Sequence, residues 1–142
     1  MADSYSSSDL QRVANVSRNA ITSWTDAKLI TADIADAAGT GKHRRFSYLN
    51  LMEAAAAREL SSCGVTRHQL ARWLPSVRQG VKKRSHFLYC LADGTVLFLR
   101  GKTDLSRACD KHESGHVINL HHLTRNIVKA LGGGTESAFW DE

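Results

Sequence analysis

The sequence predicts an α+β chain: a mainly helical N-terminal half carrying a β-hairpin, then a small sheet of about three strands covered by a helix. Three observations lead there. Capping residues introduce apolar positions at helical spacing four times before Pro75. Gly39 and Gly41 separate Thr31 from the return Arg44-Arg45-Phe46-Ser47, as in a hairpin. Ala92-Asp93-Gly94 lies between two apolar, β-rich runs, a second hairpin signal.

The first helix is expected to open at Asp9, because Ser8 and Gln11 form a capping-box pattern, with Leu10, Val13 and Ala14 inward. Tyr5 stands out in the polar lead-in. Asn15 tolerates the left-handed backbone of a tight turn, and Ser17 caps a second helix that begins at Arg18. Ala20, Ile21 and Trp24 fall on its inner side. Arg18, Asn19, Thr22 and Ser23 fall on the other. Arg and Asn pair bidentately with guanine and adenine edges, and Ser or Thr serves a base or a phosphate, so this face suits a DNA major groove.

The hairpin places Phe46 inward and gathers Lys42, His43, Arg44 and Arg45 near its tip and returning arm. Ser47 caps a helix over 48–62, closed by Cys63-Gly64. Thr66 and Gln69 open a short helix through Trp73 and Leu74, which Pro75 is expected to stop. Together, Val16-Ser17-Arg18, Trp24, Leu29-Ile30, the wing return Gly41 to Ser47 and the two following helices resemble the DNA-binding domain of the MerR family. That resemblance implies a winged helix-turn-helix, with the second helix in the major groove and the wing on the flanking backbone. It makes Arg18, Asn19 and Thr22 base or phosphate contacts, and Arg44 and Arg45 wing phosphate contacts. Ser23 stands where the family usually has an aromatic residue. No apolar heptad seam follows Pro75, so the family's coiled-coil dimer helix is not evident.

These readings divide the chain into a DNA-binding domain over 1–76, a basic linker over 77–85, which is either a solvated hinge or an arm that tracks a nucleic-acid backbone, and a small α+β domain over 86–142. In the last, strands are expected at 86–91, 95–99 and 116–120, a turn or short helix at 104–112, and a helix over 121–131. Edge pairing of so small a sheet gives a homodimer without a coiled coil.

Charge and composition agree with an anionic partner. The net charge is +5, with 9 basic and 7 acidic residues before residue 77 and 10 and 7 after it, so local clusters carry the excess. Cys63, Cys90 and Cys109 are widely spaced and odd in number, which speaks against a disulfide framework and for a reducing, cytoplasmic setting. No signal pattern or spanning apolar run is present. Cys109-x2-His112-x3-His116 alone has metal-ligand spacing, and it fits no common structural zinc pattern, so no metal or cofactor is expected. Phosphate loop, nucleophile elbow and paired-carboxylate signatures are missing, so an enzyme is not expected. The sequence reading is a sequence-specific DNA-binding transcriptional regulator. Its alternatives are a DNA-bending architectural protein of the excisionase kind and a protein-binding adaptor.

Overall fold

A computed structural model describes residues 4–34 and 44–132. The elements run α1 (Ser7–Val13), α2 (Arg18–Asp26), α3 (Tyr48–Ser62), α4 (Arg67–Lys82), β1 (Phe87–Cys90), β2 (Val96–Leu99), α5 (Lys102–Lys111), β3 (His116–Asn119) and α6 (Leu120–Ala130). The α+β class expected from the sequence is what the chain adopts.

Helix α3 is the centre. Its residues from Asn50 to Ala57 are all buried, including four consecutive alanines from Ala54, and a helix apolar on all sides is one enclosed by neighbours. Around it the core is continuous. It runs from Tyr5, Leu10, Ile21 and Trp24 through Leu51 and Met52 to Leu74, Leu88, Leu120 and Ile127.

The start of the chain differs from expectation by two residues. Ser6, not Ser8, caps α1: its hydroxyl accepts from the Asp9 amide at 3.2 Å, and the Asp9 carboxylate accepts from the Ser6 amide at 2.9 Å. The cause lies just upstream. Tyr5 exchanges two 2.8 Å backbone hydrogen bonds with Phe46, which anchors the chain and forces the helix to begin at once. Asn15 takes the left-handed backbone (φ 57°) in the turn before α2, as its residue type allows.

The larger correction concerns Pro75 and the basic stretch after it. Pro75 does not stop α4, and residues 77–82, expected as linker, are helical. A proline inside a helix costs roughly 3 kcal/mol. Here Leu70, Trp73 and Leu74 before it and Val77 and Val81 after it share one buried face, and continued burial of that face outweighs the lost hydrogen bond. Pro75 itself faces solvent.

Strand β1 is central in the order β2-β1-β3, antiparallel to both neighbours. Leu88, Cys90 and Ile118 point to the main core beneath α4 and α6. Phe87, Tyr89 and Leu99 point the other way, against Ala108 and Leu105 of α5. Residues 86–132 therefore do not bury their apolar surface alone: α4 and α3 supply much of the cover. Helix α4 also clasps the β1–β2 turn. Trp73 Nε1 donates to the Leu91 carbonyl at 3.0 Å, Gln69 Nε2 to that of Ala92 at 3.0 Å, and Arg72 to those of Ala92 and Asp93. Gly94 closes the turn at φ 94°.

Gly80 is where α4 meets the sheet most closely. A Cβ there would lie 2.8 Å from Leu88 Cδ2 and 2.9 Å from Leu120 Cδ2, both on fully buried side chains. Gly80→Val is therefore expected to destabilise the chain by about 2 kcal/mol or more through overpacking, read as a lower urea midpoint at unchanged slope.

Candidate nucleic-acid interface

The candidate surface begins with α2. Ser17 caps it, its hydroxyl accepting from the Ala20 amide at 3.0 Å, so Ser17 is committed to the helix start while remaining exposed. Ile21 and Trp24 are buried and hold the helix against the core. Arg18, Asn19 and Thr22 are exposed on the opposite side, as the periodicity requires. Ser23 is half-buried, and its hydroxyl accepts from an Arg67 guanidinium nitrogen at the first turn of α4. Arg67 is thus a neighbour of the outward face of α2 that sequence reasoning did not single out. Its signal was weak: one arginine after a cap, far away along the chain.

The expected hairpin over 35–43 lies outside the described residues; the segments that flank it, 31–34 and 44–47, meet where the Ile34 amide donates to the Arg45 carbonyl at 3.2 Å. Phe46 is fully buried, as expected. Lys42 and His43 lie outside the described residues. Arg44 and Arg45, expected to reach phosphates, both have partners within the chain. Arg44 Nη2 stands 3.3 Å from Asp26 Oδ1 at the end of α2, and Arg45 donates to Ser4 Oγ at 3.2 and 2.8 Å. The Arg44 pair ties the hairpin directly to the end of α2.

Beneath the hairpin base lies a polar network that the sequence did not disclose. Arg78 of α4 stands 2.7 Å from Asp33 Oδ2 and 3.0 Å from Glu53 Oε1 of α3. Asn50 Nδ2 donates to Glu53 Oε1 and to the Thr31 carbonyl, both at 2.9 Å. Its Oδ1 accepts from the Asp33 and Ser47 amides, each at 3.0 Å. Ser47 also donates its hydroxyl to Asp33. Segments 31–34 and 44–47 are thereby both fastened to α3 and α4, with Asn50 and Glu53 as the buried members of the network. Arg78, expected in a solvated basic linker, is instead the cation at the centre of this network.

The electrostatics follow the geometry. Burial would raise the Asp33 carboxyl, but the Arg78 and Ser47 hydrogen bonds outweigh it and hold the group below its ordinary value of 3.8. Glu53 is more deeply placed, and burial pushes it up despite Arg78 and Asn50. Burial opposes charge on Arg78 too, yet its two carboxylate partners raise its value.

Other chemistry is dispersed. His112 lies against the Tyr89 ring (6.0 Å between centroids) and His116 against Trp73 (5.4 Å). Among the described residues no group of three or more potential ligands could hold a metal ion. Cys63 and Cys109 are exposed; Cys90 is buried, which pushes its thiol up to about 12. A cleft of about 240 Å³ opens between the end of α3, β3 and α6, with Leu60, Val117 and Leu123 among its walls. Among the described residues no helix is long and apolar enough to cross a membrane.

No protein-family model matches the chain, and no curated protein matches it.

Removing the central cation tests the network. Arg78→Met leaves Glu53 buried without a counter-charge and is expected to cost about 3–5 kcal/mol in urea unfolding; adding Glu53→Gln should recover part of that loss. Acidity tests it separately. Asp33, held low, contributes stability above its ordinary 3.8 that is lost as pH falls through its folded value; Glu53, held high, contributes in the opposite sense. Asp33→Asn should therefore flatten the fall of the melting temperature below pH 3.8 while lowering it at neutral pH.

Proposed function

We propose that the chain is a sequence-specific DNA-binding transcriptional regulator of the winged helix-turn-helix kind. Helix α2 enters the major groove and the hairpin lies on the flanking backbone. One observation carries this reading: Arg18, Asn19 and Thr22 are exposed together on one face of a helix whose other face is sealed by Ile21 and Trp24. Groups that fork or pair in a plane are the ones that read base edges, and a rigid helix presents them without the ordering cost of a loop.

Arg67 beside Ser23, and Arg44 at the far end of α2, add cations on either side of that face and would set its register on phosphates. Asn19 and Thr22 are the base readers in this scheme, with Arg18 reading a guanine. Lys42 and His43, outside the described residues, are the further wing contacts that the sequence offers in this scheme. The regulator acts in the cytoplasm as a homodimer joined through its C-terminal region, where β2 and β3 are the sheet edges among the described strands.

The test is selection of bound fragments from a random duplex library, followed by gel shifts on selected and scrambled sites. Arg18→Ala is expected to lose about 1–3 kcal/mol on the selected site and to relax sequence preference there. Arg45→Ala is expected to weaken both duplexes alike. Equal losses for both variants on both duplexes would remove the assignment of α2 as the reader.

A further inference from the structure

The end of α4 and the Phe87–Leu99 end of the sheet bring together basic residues that the α2 surface does not use. Lys82 and Lys83 close α4. The His86 amide donates to the Leu99 carbonyl at 2.8 Å, so the chain that leaves α4 enters the sheet beside the end of β2, from which Arg100 and Lys102 follow. Lys83 Nζ stands 4.3 Å from the centre of the Phe98 ring, on the same strand that delivers Arg100. All four of these side chains belong to exposed residues. Between residues 76 and 103 the sequence holds a single acid, Asp93, at the opposite end of the hairpin under Arg72. The next acid, Asp104, turns its carboxylate onto the Arg100 amide at 3.2 Å.

Local stability accounts for only part of this cluster. A cation in the last turn of α4 is favoured by the helix dipole, which explains Lys82. Arg100 lies in no helix. Lys102 is the first residue of α5, where the dipole opposes its charge. Lys83 rests on the Phe98 ring, so Arg100 and Lys102 are the cations for which the fold offers no local reason, and the face as a whole is complementary to an anion.

We propose that Lys82, Lys83, Arg100 and Lys102 form a second phosphate-contact surface, which takes the backbone of the same duplex beyond the stretch read by α2. Helix α4 links the two. Its first residue, Arg67, reaches Ser23 of α2, and Arg78 and Lys82, eleven and fifteen positions on, fall on the same side of the helix. Arg78 meets Asp33 at the hairpin base, and Lys82 is one turn further. Helix α4 thus carries Arg67 beside the reading helix at one end and Lys82 in the cluster at the other, while Arg78 between them is committed to Asp33 and Glu53. Two cationic sites fixed about 24 Å apart by one helix suit the backbone of a rigid duplex better than an anionic lipid surface. The inference rests on the DNA-binding reading above.

The experiment is fluorescence anisotropy of the full chain on random-sequence duplexes of about 12 and 40 base pairs, across a salt series. The variants are Lys82→Gln/Lys83→Gln, Arg100→Gln/Lys102→Gln and all four together. Each phosphate contact removed lowers the slope of log affinity against log salt by about 0.9 on duplex DNA. The quadruple variant is expected to lose about 2–4 in that slope on the long duplex, and far less on the short one. Each double variant should show about half the effect, which keeps the measurement informative should the quadruple variant fold poorly. Arg18→Ala should leave the difference between the two lengths intact. An unchanged slope on the long duplex, with wild-type binding present, overturns the second surface and leaves the α2 reading standing. No duplex binding by the wild type removes both. Unchanged duplex slopes with lost binding to phosphatidylserine vesicles would assign the cluster to a membrane surface and overturn the proposal.

Discussion

One guanidinium holds the N-terminal half in shape. Arg78 bridges Asp33 on the hairpin and Glu53 on the central helix, and Asn50 saturates the backbone groups around them. Phe46 with its Tyr5 pairing, the Asn50 hydrogen bonds and the Arg44–Asp26 pair add further ties, but the Arg78 bridge is the one that joins this segment to both α3 and α4. Two carboxylates around one cation leave the group with surplus negative charge, consistent with Asp33 remaining ionised easily while Glu53 bears the cost of burial. Breaking the pair would strand a charge, so the arrangement specifies where the hairpin sits more than it adds net stability.

The second constraint is the run of α4 continuing past Pro75. It touches α2 at its start, the hairpin base in its second half, and the sheet at Gly80. Because a helix transmits position along its axis, the orientation of the β-sheet relative to α2 is set by one element about 24 Å long. The two halves of the chain consequently share a core.

Much of this was legible in the sequence where the signal was local. Ser17 and Ser47 cap helices at the residues their type indicated, Gly64 and Asn15 adopt left-handed backbone, and Ala92-Asp93-Gly94 makes the hairpin. The outward placement of Arg18, Asn19 and Thr22 followed from a period of 3.6 residues. What escaped was long-range. Pro75 carries a strong local stop signal, and only the buried face shared by residues on both sides of it overrides that signal. Arg78 was expected in the basic linker, and its pairing with Glu53 spans 25 residues of sequence, beyond the reach of any local signal. Tyr5 and Phe46 pair across a still longer separation, which moved the first cap from Ser8 to Ser6. For the same reason Arg44 and Arg45 looked unengaged: nothing nearby in the sequence announced Asp26 or Ser4 as their partners.

The Arg44–Asp26 pair bears on how such a surface would let go of a polyanion. For Arg44 to turn wholly to a phosphate, Asp26 must be surrendered, and its carboxylate is then stranded at the edge of the DNA backbone. The exchange replaces one negative partner by another and adds a repulsion that was absent in the free chain. Such a contact contributes little to residence time and leaves the hairpin quick to disengage, so discrimination would fall mainly to the helix beside it.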